Sequence, residues 1–168
     1  MQSLKVDDVE ISRLDRSHED AVRGIFREGL SDRFMFNGPF DGDMEELTSA
    51  ALAALDGGDS FLMGGFIDGT LIGVVPCAIR GRSGALEVHL HLAKAYRGRA
   101  IASGFIRKVA NELSEVGYQC FVWGPVAHQA AKTVYFHAGF REVAVLPGLW
   151  DLGDGQRCDV GIAIWGGK

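Results

Sequence analysis

The sequence predicts an α/β (α+β) domain: a mixed central sheet of about seven strands with helices on both faces, in the element order βααβββαβαββ. Three observations predict it. Segments with strand periodicity alternate along the chain with segments of helical periodicity. Asp68-Gly69, a strong hairpin signal, joins two β-branched runs in the middle. A chain of 168 residues, 47% of them hydrophobic, is the size of one domain with a substantial core, so a single globular unit spanning 1–168 is expected.

Val9-Glu-Ile-Ser-Arg-Leu14 alternates apolar and polar residues, as a half-buried strand does. A helix should follow, with Ser17 as a hydroxyl cap, Glu19 and Asp20 in its first turn, and Val22, Ile25, Phe26 and Leu30 on one face. Residues 31–42 carry Phe34, Phe36 and Phe40 around the turn-forming Asn37-Gly38-Pro39, which predicts a loop with something to cover. The stretch from Asp43 to Leu55 is rich in Ala, Leu and Glu and stops at Gly57-Gly58, the pattern of a second helix. Ser60–Ile67 and Thr70–Arg80 then form a hairpin around Asp68-Gly69.

After a turn at Gly81–Gly84, residues 85–92 alternate strictly: Leu86, Val88, Leu90 and Leu92 take one face, and Glu87, His89 and His91 the other. From Gly98 to Val116 the recurrence of Ile101, Phe105, Val109 and Leu113 predicts an amphipathic helix. Gln119–Trp123 reads as a strand, Ala130–Ala138 as a short helix closed by Gly139, and Arg141–Leu146 as a strand. A terminal hairpin is expected between Trp150-Asp-Leu and Arg157–Ile164.

The formal charge of −5 and pI near 5.5 argue against a general grip on nucleic acid, which needs a basic stripe. Cys77, Cys120 and Cys158 are odd in number and lack metal-type spacing, so they read as buried thiols in a reducing compartment. The first residues carry acids where an export signal has a basic start, and no window is apolar enough to span a bilayer. A soluble, cytoplasmic protein with no membrane partner is expected.

Two motifs carry the chemistry. Arg97-Gly98-Arg99-Ala100-Ile101-Ala102 sits between a strand and a helix, where outward-pointing main-chain N–H groups and the helix dipole bind phosphates. Arg97 or Arg99 can add a charge-assisted bond. Taken alone the segment also fits an ordinary strand-to-helix turn with solvated arginines. The second motif is Ala131-Lys-Thr-Val-Tyr135-Phe-His-Ala-Gly139-Phe140.

With the element order, these segments resemble the GNAT superfamily over essentially the whole chain. The first resembles its Arg/Gln-x-x-Gly-x-Gly/Ala pyrophosphate loop, with Ala100 where the family usually has Gly. The second resembles its Ala-x-x-x-Tyr-x-x-x-Gly-Phe segment, with His128 where an Asn usually stands. There is a faint similarity to phage-encoded members as well. The resemblance implies a GNAT acyl-CoA N-acyltransferase fold. It also implies acetyl-CoA, or another acyl-CoA, as co-substrate, held by Leu92, Arg97, Gly98, Arg99, Ala100, Ile101, Ala102, Ser103 and His128.

Acyl transfer from a thioester to an amine requires a neutral amine, a stabilised oxyanion and a proton for the thiolate. The resemblance makes Tyr135 the acid and a main-chain N–H near Leu92 the oxyanion donor, although Tyr135 also fits a packing role. Glu87, His89 and His91 are candidate bases, with Glu87 and His91 leading, and their face also fits a plain solvated strand. His89-x-His91 with Glu87 permits a strand-borne metal site as a rival, but no metal is expected. Phe34, Phe36, His89 and Trp150 are the candidate acceptor contacts, for an amine on a small molecule or a protein. A catalytically weak binding or assembly module of the same fold is the alternative. A homodimer through the terminal strands is the expected assembly.

Overall fold

A computed structural model describes residues 5–30, 44–151 and 155–167. The elements in chain order are β1 (Glu10–Arg13), α1 (Glu19–Leu30), α2 (Met44–Ala53), β2 (Ser60–Ile67), β3 (Thr70–Arg80), β4 (Ala85–Val88), β5 (His91–Leu92), α3 (Ala102–Glu115), β6 (Gln119–Pro125), α4 (Gln129–Ala138), β7 (Phe140–Asp151) and β8 (Arg157–Trp165). The sheet runs β1-β2-β3-β4-β6-β8-β7, with β5 pairing with β3 off that path. Among the described residues β4 pairs with β6 in parallel and the other pairs are antiparallel.

Among the described residues eight strands stand where about seven were expected, because the strand predicted over 85–92 breaks at His89-Leu90. Pro76 on β3 faces this point and has no N–H to give, so only the His89 N–H bond to the Pro76 carbonyl, 3.2 Å, is made there. Three further boundaries differ. α3 begins at Ala102 and not at Gly98, since Gly98 and Ala100 have φ of 71° and 59°, outside the helical region. Ser17 does not cap α1 directly; the Asp15 carboxylate accepts its N–H at 2.9 Å and starts a short 3-10 turn, Arg16–His18, ahead of the helix. β7 runs unbroken to Asp151, absorbing Pro147-Gly148 as a register shift against β8.

Adjacent residues on β2 and β3 supply opposite faces. Phe61, Met63 and Val75 join the cluster under α3 and α4, while Leu62 and Val74 join the one under α1 and α2. Phe105 of α3 lies against Gly65 and Gly73: a Cβ on either glycine would come within 2.6 Å and 2.9 Å of its ring. The missing side chains let α3 sit low on the sheet and aim its N-terminus at the end of β5.

Candidate active site

The ladder between β4 and β6 ends at Glu87 and Phe121, and beyond it β5 stays with β3. The His89 and Ala93 N–H groups donate to Pro76 and Ile72 on β3, so the residues between them at even positions present N–H and C=O to the opposite, unpaired edge. Leu90 donates its N–H to the Tyr135 hydroxyl at 2.8 Å, and the Leu92 carbonyl accepts from Arg97 Nε at 2.9 Å. The Leu92 N–H shares that edge. A groove of about 260 Å³ follows it, lined by Leu90, His91, Leu92, Arg97, Gly98, Ala102, His128, Ala131, Val134 and Tyr135.

The groove reaches the start of α3, which has no side-chain cap, so its first-turn N–H groups are left to an outside acceptor. Ala100 holds a left-handed conformation in this loop, at a cost of roughly 1 kcal/mol that glycine would not incur. Arg97 braces the loop onto Leu92, whereas Arg99 is exposed with its guanidinium 5.7 Å from the Tyr96 ring centre. Ser103 lies in the first turn, half-buried. Ile101 is 1% exposed and points into the core, so it can offer the groove only main chain. His128 stands at the N-cap of α4 on the groove's far wall.

A second cavity of about 420 Å³ opens on the other face, where Glu87, His89 and His91 share the wall with Trp123, Trp150 and Phe26. Both Glu87 oxygens are engaged: Oε1 accepts from His89 Nε2 and Trp123 Nε1, each at 2.8 Å, and Oε2 accepts from Arg80 Nε at 2.6 Å. Trp123 packs on Trp150 with ring centres 5.4 Å apart, and His91 on Phe26 at 5.1 Å. His91 lines both cavities. Phe34 and Phe36 lie outside the described residues. Among the described residues no group of three or more His, Cys, Asp or Glu is arranged to hold a metal ion, and no helix is long and apolar enough to cross a membrane.

Environment sets the charges. Burial alone would raise the Glu87 carboxyl, but hydrogen bonds from His89, Arg80 and Trp123 outweigh it and bring it down to about 2. Burial, with smaller electrostatic contributions from His89 and Arg97, lowers His91 to about 3. Burial raises the Tyr135 phenol above its usual value, against the opposing bond from Leu90, so it keeps its proton at neutral pH. Cys77 and Cys120 are likewise buried, unpaired in any disulfide and raised by burial.

Sequence reasoning singled out Glu87, His89, His91, Tyr135 and Trp150 but missed Arg80, Leu90 and Trp123. Nothing in the strand patterns links Arg80 or Trp123 to Glu87, because the link is made by neighbouring strands of the sheet.

Residues 25–153 match the sequence profile of the acetyltransferase (GNAT) family, and the chain belongs to that family. Among solved structures it is similar to the Vibrio cholerae spermidine N-acetyltransferase in complex with CoA and spermine, at 15% identity and a TM-score of 0.74, covering 94% of this chain and 95% of that one. It is also similar to the Salmonella typhimurium acetyl transferase that modifies the N-terminal serine of ribosomal protein L7/L12, at 17% and 0.75, covering 95% and 96%. A third likeness is to the microcin C7 self-immunity acetyltransferase in complex with acetyl-CoA and AMP, at 15% and 0.72, covering 98% and 96%. At such identities the likeness shows the fold. Among curated proteins the search finds no match.

Proposed function

We propose that the protein is an N-acetyltransferase that moves an acetyl group from acetyl-CoA to a primary amine by direct attack. One observation carries this reading: His91 lines both the groove that ends at the uncapped start of α3 and the aromatic pocket on the other face, so a thioester and an amine entering from opposite sides meet there.

The first turn of α3, with Gly98 and Ala100, holds the pyrophosphate. The Leu92 N–H is the oxyanion donor. Glu87 and His91 are weak bases by their lowered pKa values, so the proton of the incoming ammonium goes to His89, whose imidazole Glu87 holds at 2.8 Å. The amine nitrogen bonds to the carbonyl carbon and loses its second proton to solvent, the carbon–sulfur bond breaks, and Tyr135 gives its phenolic proton to the thiolate and regains one from solvent. We assign Trp123 and Trp150 to the acceptor's body.

Calorimetry with acetyl-CoA tests the reading. Micromolar binding, weakened at least about tenfold in Ala102→Glu, together with thiol release in the presence of amines, is the expected result. No binding at millimolar ligand would overturn it. The strained Ala100 favours a second reading, a binding module of the same fold, which would bind acetyl-CoA without releasing thiol. The edge position of β7, with Val143, Val145 and Leu149 exposed, supports a homodimer through that strand. A cytoplasmic location is part of the same proposal.

A further inference from the structure

The acceptor pocket carries a cation at its rim that acetyl transfer does not use. Arg80 bonds Glu87 through Nε alone, its side chain is 59% exposed, and its two terminal nitrogens still carry four N–H donors. Glu87 is correspondingly spent: three donors occupy its two oxygens, and Arg80 balances its charge. Among the described residues of the pocket wall there is no other carboxylate. A polycationic acceptor would meet an exposed guanidinium on that wall.

The pocket's own length places that cation relative to the chemistry. Glu87 and His91 are four residues apart, a span of at most about 13 Å at roughly 3.3 Å per residue. The guanidinium lies beside the Glu87 carboxylate, and the meeting point of the two cavities lies at His91. The wall there is aromatic, with Trp123 packed against Trp150.

We propose that the acceptor is an elongated amine with a flat apolar body and an anionic group at the end away from the amine, and that Arg80 is the residue that selects it. This rests on the acetyltransferase reading above. A planar guanidinium matches a carboxylate or phosphate in two-point fashion. The selection acts on binding of the acceptor, so it appears in KM and in equilibrium affinity.

The test uses matched amines: 4-(2-aminoethyl)benzoate, its neutral benzamide, 2-phenylethylamine, tyramine phosphate and spermidine. Thiol release should favour the benzoate over the benzamide and over spermidine by about tenfold or more in kcat/KM, and that ratio should collapse toward one in Arg80→Met and recover in part in Arg80→Lys. Preference for tyramine phosphate over the benzoate would identify phosphate as the anion. Calorimetric binding of the benzoate, lost in Arg80→Met, reads the anion site without turnover. If the benzoate binds in this way but no amine is acetylated, the anion site stands and the acetyltransferase reading falls. If spermidine or the benzamide is acetylated as well as the benzoate, or the ratio survives in Arg80→Met, the proposal is overturned while the acetyltransferase reading stands.

Discussion

The Tyr135 hydroxyl accepts the main-chain N–H of Leu90 at 2.8 Å, joining α4 to the broken strand across the cleft. This bond makes the phenol a brace and leaves it a proton to give, as the proposed acid role requires, since an oxygen that accepts from Leu90 keeps its own hydrogen.

Tyr135→Phe therefore separates two effects. As the acid, its loss should lower kcat by about 100-fold with little change in the KM for acetyl-CoA. As the brace, its loss orphans the Leu90 N–H and should lower stability by about 1 kcal/mol in urea denaturation. Full turnover in the variant would remove the acid assignment.

Ala100→Gly should raise stability by about 1 kcal/mol, because glycine adopts a φ of 59° without the clash that alanine incurs. Thermal denaturation reads this directly. Calorimetry on the same variant should show acetyl-CoA binding equal to or tighter than wild type, if the loop holds the pyrophosphate as proposed.

Stability should fall with pH in two windows. His91 is lowered from 6.5 to about 3, so the unfolded chain binds the proton first and stability drops as pH falls below 6.5, by up to about 1.4 kcal/mol per unit. Glu87 is lowered from 4.5 to about 2, so its contribution is whole above 4.5 and is lost between there and about 2. Denaturation of His91→Asn across pH 4.5–6.5 should show a flatter slope than wild type. The gap between wild type and Glu87→Gln should close only below 4.5.

Gly73→Ala should be costly although the substitution is small. Its Cβ would lie 2.7 Å from Leu92 Cδ2, 2.9 Å from the His91 carbonyl and 2.9 Å from the Phe105 ring, with the carbonyl belonging to the strand that edges the cleft. A loss of about 1–3 kcal/mol is expected, measured by denaturation, together with weaker acetyl-CoA binding as β5 is displaced.

Much of the architecture was legible because it is local. The hairpin Ser60–Ile67 and Thr70–Arg80 follows from Asp68-Gly69 and two β-branched runs, and α4 closes at Gly139 because its φ of 117° suits glycine. Tyr135 and the Arg97–Ala102 loop were found through a family resemblance, since no period or propensity marks a phosphate loop. Where local signals misled, a neighbour intervened: Pro76 faces the point where the strand predicted over 85–92 is interrupted, and Asp15 took the capping role from Ser17.

The sequence by itself determined the elements, their order and the three polar residues sharing one strand face, because these depend on the side-chain period of a single segment. Only the tertiary structure decided what those residues can do. Arg80 on β3 and Trp123 on β6 converge on Glu87 and hold it as an ionised anchor, and burial beside Phe26 keeps His91 uncharged. A carboxylate's or an imidazole's charge state depends on desolvation and on donors from other strands, and neither is written along one stretch of chain.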